Sequence, residues 1–256
     1  MGRLICWLSL VCLMLTFVPL SAQTTLMLRD NLQRAQPGDY IVIMADKTQT
    51  LMHIYDKNDR ILTMEEVVIP KNKRRQTAAL GWTEWMQAEA PGNTSWVMYD
   101  IDIKSGQMLR YYSFSKKSWF EIPEADNMIS KLLNLKLTKL PDSARKRVGV
   151  RLHGQEKRAL WQPPVTVNGQ RVKDVAFDAW KTKWPKDGSE LSGKSIEVYL
   201  PQESQKYPSY FPYWLQVSNM VGKAKIRIID SVIGLRSPKP PLTPHSHLTY
   251  QQKLNN

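Results

Sequence analysis

Residues 95–122 read SWVMYDIDIKSGQMLRYYSFSKKSWFEI, and their spacing decides the fold class. From Ser95 to Ile103 the side chains alternate. Val97, Tyr99, Ile101 and Ile103 share one face, and Trp96, Met98, Asp100 and Asp102 share the other, the period-two signature of a strand. Lys104-Ser105-Gly106-Gln107 is a tight polar turn, Met108–Phe114 is the returning run, and Trp119–Ile122 is a third. Three β-prone runs joined by short turns predict an antiparallel meander. The Asp100 and Asp102 carboxylates are expected to be solvated.

The same grammar extends in both directions. Upstream, Tyr40–Met44, Leu51–Tyr55 and Ile61–Ile69, the last ended by Pro70, form a second meander. Leu26–Leu32 has a short helical pattern, Lys71–Arg75 reads as a basic loop, and Trp82, Trp85 and Met86 have i, i+3, i+4 spacing. Downstream, Pro123 opens a helix from Glu124 to about Asn134. Its exit is open, because Leu133–Leu137 also alternates. Asn168-Gly169 is a hairpin signal, since both residues tolerate positive φ. One strand is expected from Val172 to Lys183, another over Ser195–Leu200, and a last hairpin pairs Tyr213–Val217 with Lys225–Ile229 across Asn219–Gly222.

Nine or ten strands, few helices and no βαβ alternation give an α+β class. The expected architecture is a single domain over residues 23–236, dominated by a curved antiparallel meander sheet, a half-barrel with two or three short covering helices. The four-proline tail, residues 237–256, is expected to be disordered.

The amino terminus adds a compartment. Residues 1–22 carry Arg3, an apolar run from Leu4 to Val18 and a small-residue end at Ala22, which reads as a cleaved secretory signal peptide. Both cysteines, Cys6 and Cys12, lie within it. The mature chain therefore has no thiol, which excludes cysteine nucleophiles, disulfides and thiolate metal sites. A disulfide-free exported domain points to the periplasm of a Gram-negative bacterium.

The formal charge of the chain is +13, from 36 Lys and Arg against 23 Asp and Glu. Export argues against nucleic acid as the partner. Two basic loops, Lys71, Lys73, Arg74 and Arg75 in one and Arg145, Lys146 and Arg147 in the other, are expected to face an anionic membrane surface.

Motifs for catalysis are absent. His245 and His247 have two-ligand spacing in the tail, His153 and Glu156 another pair among cations, and His53 falls within a strand. None supplies a third ligand, so no metal and no cofactor is expected. Ser113–Lys116 has S-x-x-K spacing, but it lies at a strand end without its partner motifs. The expectation is a protein that is not an enzyme.

Aromatic and methionine side chains populate both faces of the strands, which suits either a sheet packed plainly under helices or a curved sheet holding an apolar ligand. The layout resembles the periplasmic lipoprotein-carrier, or LolA-like, half-barrel family. The residues that carry the likeness are the export signal, the meander Tyr40–Ile69, the hairpin Trp96–Ile122 before a helix, and an ending of SIEVYLPQ followed by FPYWLQVSNMVGKAKIRIIDS. The resemblance implies a sheet whose open face is covered by helices and receives acyl chains. An arginine of the early sheet that holds the lid in such carriers has no counterpart in Tyr40–Tyr55.

The expected function is an exported, non-enzymatic binder or carrier of a lipid or lipoprotein acyl chain. The alternative is an envelope adaptor that binds a protein partner and no lipid. Alternation nominates Val97, Tyr99, Ile101, Ile196, Val198, Ile226 and Ile228 for the cavity, leaving open which strand face is the inner one.

Overall fold

The computed structural model describes residues 24–122, 128–150, 156–203, 206–218 and 223–242. The expected signal peptide, the first turn of the Glu124 helix, His153, the Asn219–Gly222 turn and the last fourteen residues of the tail lie outside them. In chain order the strands are β1 (Thr25–Met27), β2 (Tyr40–Ala45), β3 (Thr48–Lys57), β4 (Ile61–Pro70), β5 (Ser95–Asp102), β6 (Gln107–Ser113), β7 (Ser118–Glu121) and β8 (Lys136–Lys139). They continue as β9 (Arg147–Val148), β10 (Ala159–Leu160), β11 (Val165–Val167), β12 (Gln170–Val172), β13 (Phe177–Lys183), β14 (Ser195–Pro201), β15 (Trp214–Ser218) and β16 (Lys223–Val232). Three short α-helices, α1 (Lys71–Gln76), α2 (Trp82–Gln87) and α3 (Met128–Leu133), a seven-residue 3-10 helix, Leu28–Arg34, and a 3-10 turn, Asp142–Ala144, accompany them.

Fourteen of these strands form one open, antiparallel-dominated sheet. The two expected three-stranded meanders, β2 to β4 and β5 to β7, are both present and join through β4 and β5 into one of six strands, with Tyr99 opposite Met64 on one side and Tyr111 on the other. Strands β13 to β16 form a second meander. The two are fused through β16 and β2, which pair antiparallel with Ile228 opposite Ile43. No local sequence signal specifies that contact. Strand β8 resolves the open exit from α3, because Lys136–Lys139 pairs with both β1 and β13.

Several expectations are corrected. Lys71–Arg75 is not a loop but most of α1. The Leu26–Leu32 pattern divides into β1 and the 3-10 helix. The strand expected over Val172–Lys183 is interrupted between β12 and β13, where Asp174 takes a φ of +60°, a value incompatible with extended backbone. Asp100 is buried, bonded by Thr63 Oγ1 at 2.8 Å and Arg110 Nε at 2.7 Å, rather than solvated. The Asn168-Gly169 turn forms as expected, with φ values of +49° and +74° between paired Val167 and Gln170.

Alternation puts different residues to work on each face. On the inner face, Ile41, Ile43, Met52, Ile54, Leu62, Met64 and Ile101 join Ile196, Val198, Leu215, Val217 and Ile228 from the other meander in one cluster. A sheet that brings β5 and β14 into a common core has curled round that face. The 3-10 helix and α3 lie over it, contributing Leu28, Leu32, Leu132 and Leu133. On the outer face, Tyr40, Val42, Leu51, Val67, Ile69 and Trp96 pack against Trp85 and Met86 of α2 and against Leu235.

The tail also departs from expectation. Residues 237–242 lie against the outer face rather than in solvent. The Ser237 hydroxyl donates to Glu65 Oε1 at 2.7 Å, the Tyr55 hydroxyl donates to the Lys239 carbonyl at 3.2 Å, and the Lys239 ammonium sits 4.3 Å from the Trp96 ring. These are polar and cation–π attachments, which an apolar-periodicity reading does not register.

Candidate functional site

A cavity of about 300 Å³ lies between the inner sheet face and α3. Its floor comes from both meanders: Ile43 of β2, Thr50 and Met52 of β3 and Glu66 of β4 on one side, Ile196, Leu215, Val217 and Ile226 on the other. Its roof is Met128, Ile129 and Leu132 of α3, and Trp184, Leu191 and Phe211 close the flank. Among the described residues Met128 is the most exposed of the roof, at 54%.

The roof is held in place by polar contacts. The Met108 backbone N–H donates to Ser130 Oγ at 2.8 Å, fixing α3 to β6. Lys131 Nζ reaches Asp187 Oδ2 at 2.8 Å, and the Trp184 indole N–H donates to the same oxygen at 3.1 Å. The Lys131 hydrogen bond is the main reason that the Asp187 carboxyl is held well below the usual carboxylate range. Helix and flank are thereby tied to each other above the cavity.

The seven residues nominated by alternation all fall on the inner face. Ile196 and Ile226 line the cavity. Ile101, Val198 and Ile228 are buried in the cluster around it. Tyr99 packs against that cluster half-buried, and Val97 is half-buried beside it, opposite Glu66.

What alternation missed is the set contributed by α3 and the flank, together with Glu66. The last had a legible signal. On the strand Ile61–Ile69 the inner positions are Leu62, Met64, Glu66 and Val68, so an acid occupies a place patterned for an apolar residue. Burial raises the Glu66 carboxyl above its ordinary 4.5, partly opposed by a hydrogen bond with the Tyr99 hydroxyl. Burial, and then the Glu66 charge, raise Tyr99 in turn.

A larger cleft of about 780 Å³ runs along β8 and β13, but its charged side chains are already engaged. Lys139 pairs with Asp178 at 2.9 Å and Arg145 with Asp142 at 3.1 Å. It offers mixed polar lining with those charges neutralised, and the apolar cavity is the better binding site.

The basic groups divide into two kinds. Lys71, Lys73, Arg75 and Lys146 are exposed. Arg74 and Arg145 are not membrane-facing. Arg74 is 9% exposed; it bonds the carbonyls of Thr77 and Leu80 and lies 4.3 Å from the Trp82 ring. Arg145 is 8% exposed and donates to the Phe177 carbonyl at 2.8 Å. Arg147 is half-buried, donating to the Arg158 carbonyl at 2.8 Å. Guanidinium groups close polar chain turns well because they carry five donors.

Ser113 and Lys116 do not form a nucleophile pair. The Ser113 hydroxyl meets Ser115 at 3.0 Å, and the Lys116 ammonium lies over Phe120 at 5.2 Å. Among the described residues, no cluster of three metal-ligating side chains occurs and no helix is long and apolar enough to cross a membrane.

The fold and cavity describe an open, two-meander antiparallel sheet with an apolar chamber under a short helix. A family model described as CT021 protein matches residues 50–173, just under half of the chain. In structure the chain is similar to the hypothetical protein CT021 from Chlamydia trachomatis, with a TM-score of 0.63 and 18% identity over 86% of this chain and 99% of that one. At that identity the likeness is one of fold. No curated protein matches the sequence.

Proposed function

We propose that this protein is an exported, non-enzymatic binder or carrier of an acyl chain, from a lipid or a lipoprotein, in the bacterial envelope. The observation that carries the reading is the chamber of about 300 Å³, walled by apolar side chains of both meanders and roofed by α3. A largely apolar, preformed pocket with few polar groups is the usual form of a small-ligand site. Each methylene moved from water into such a chamber contributes about 0.8 kcal/mol. Lys71, Lys73, Arg75 and Lys146 remain available to an anionic membrane surface, each contributing about 1 kcal/mol near it.

Native mass spectrometry of the purified full chain, followed by organic extraction, tests the reading. Co-purifying acyl species are expected in the wild type and are expected to disappear from Leu215→Trp, whose indole fills the floor of the chamber. A ligand-free wild type that also fails to take up added acyl probes refutes it.

A further inference from the structure

Glu66 is the sole ionisable group on the cavity wall among the described residues, and nothing above explains why it is there. It stands on the inner face of β4, with Met52 opposite on β3 and Val97 opposite on β5. The residues that face it across the cavity are uncharged: Ile129 and Leu132 of α3, Trp184 on the flank, Leu215 of β15 and Ile226 of β16. Tyr99 and Glu66 bear on each other's titration, and none of the ion pairs among the described residues includes Glu66.

We propose that the cavity selects a single acyl chain joined through an uncharged ester or amide, and that Glu66 donates its proton to the carbonyl oxygen of that linkage. The inference rests on the reading that the cavity holds an acyl chain. Three physical points lead to it. First, a carboxyl group without a cation in an apolar wall favours its protonated form, and burial does raise it. A protonated carboxyl has one O–H to give, which fits a carbonyl acceptor. Second, a fatty-acid carboxylate would bring a negative charge into an apolar site with no cation to pair it, and an ammonium would require Glu66 to ionise. Third, about 300 Å³ lies at the lower bound of small-ligand pockets, which suits one chain and not two.

Three probes of equal chain length separate the possibilities: monolaurin, laurate and dodecylamine, each titrated below its micelle concentration into the full chain. Tryptophan fluorescence is the readout, since Trp184 lines the cavity. Monolaurin is expected to bind about tenfold tighter than either charged probe, the value of roughly one hydrogen bond to a buried acid. Glu66→Gln, whose amide keeps a donor, should hold monolaurin affinity within about threefold, whereas Glu66→Leu should lower it about tenfold and leave laurate unchanged.

Laurate binding as tightly as monolaurin overturns the proposal. So does tightest binding of dodecylamine with loss in Glu66→Gln, which would assign the carboxylate a cationic ligand. If all three probes bind alike and Glu66→Leu changes nothing, the acyl cavity stands and this inference alone falls. If none binds the wild type, both fall.

Discussion

Replacing Glu65 by alanine tests how the tail is held to the sheet. The carboxylate is fully buried and has three partners: the Trp96 indole N–H at 2.7 Å, the Ser237 hydroxyl at 2.7 Å and His53 Nδ1 at 2.9 Å. The other imidazole nitrogen, His53 Nε2, meets the Leu235 carbonyl at 3.1 Å. A carbonyl only accepts, so Nε2 carries a proton. This carboxylate is therefore one point where sheet and tail meet, bonded to the tail through Ser237 and, by way of His53, through Leu235.

Alanine leaves these groups buried without their acceptor. Removing one partner of a buried, charged hydrogen-bonded pair costs about 3–5 kcal/mol, so a loss of about 4 kcal/mol is expected. At about 2–4 °C per kcal/mol for a domain of this size, that lowers Tm by roughly 8–16 °C. Glu65→Gln keeps an oxygen for Trp96 and Ser237 and offers an N–H to the Nδ1 lone pair of a neutral His53 whose proton stays on Nε2, so its loss should be about 1 kcal/mol. Thermal unfolding followed by circular dichroism reads the stability. Hydrogen exchange reads the tail, where residues 234–242 should lose protection in the alanine variant while β5 and β6 keep theirs. A fall of less than about 4 °C, or unchanged protection of the tail, would refute the reasoning.

Arg74→Ala should destabilise the chain by about 2 kcal/mol, because it leaves the Thr77 and Leu80 carbonyls short of a charged donor, whereas exposed Lys73→Ala should stay within about 0.5 kcal/mol; urea midpoints compare the two. Gly38→Ala should cost about 2 kcal/mol and loosen the tail. Gly38 has a φ of +95°, an added Cβ would meet Gly234 backbone at 3.2 Å, and its carbonyl accepts the Gly234 and Leu235 N–H groups. Normal tail protection in that variant would show that the crossing does not depend on this close approach. For Glu66 the folded state holds its proton more tightly than the unfolded chain, so stability is lost as pH rises from about 4.5 through the raised folded value. Glu66→Gln should gain on the wild type over that interval and match its slope below it; parallel pH profiles in urea unfolding would contradict this.

The meander of residues 95–122, the grouping of the nominated residues on common strand faces and the Asn168-Gly169 turn were legible because alternation and turn chemistry are local. So was Glu66, as an acid in an apolar register. Arg74 and Arg145 were misread because charge runs look solvated in sequence, and burial depends on which carbonyls distant segments bring to the guanidinium. The tail was misread because its attachments are single polar groups set among prolines.

By itself, then, the sequence determined an antiparallel, strand-dominated chain and which residues of each strand share a face, since period-two spacing is a property of neighbouring residues; which of the two faces turns inward was decided by the tertiary structure. Only the tertiary structure decided that β16 would pair with β2, a contact between residues nearly 200 positions apart. That pairing curls one sheet round Ile43 and Ile226 together. The cavity has one wall from each end of the chain, so it exists only once loop closure has brought those ends into register.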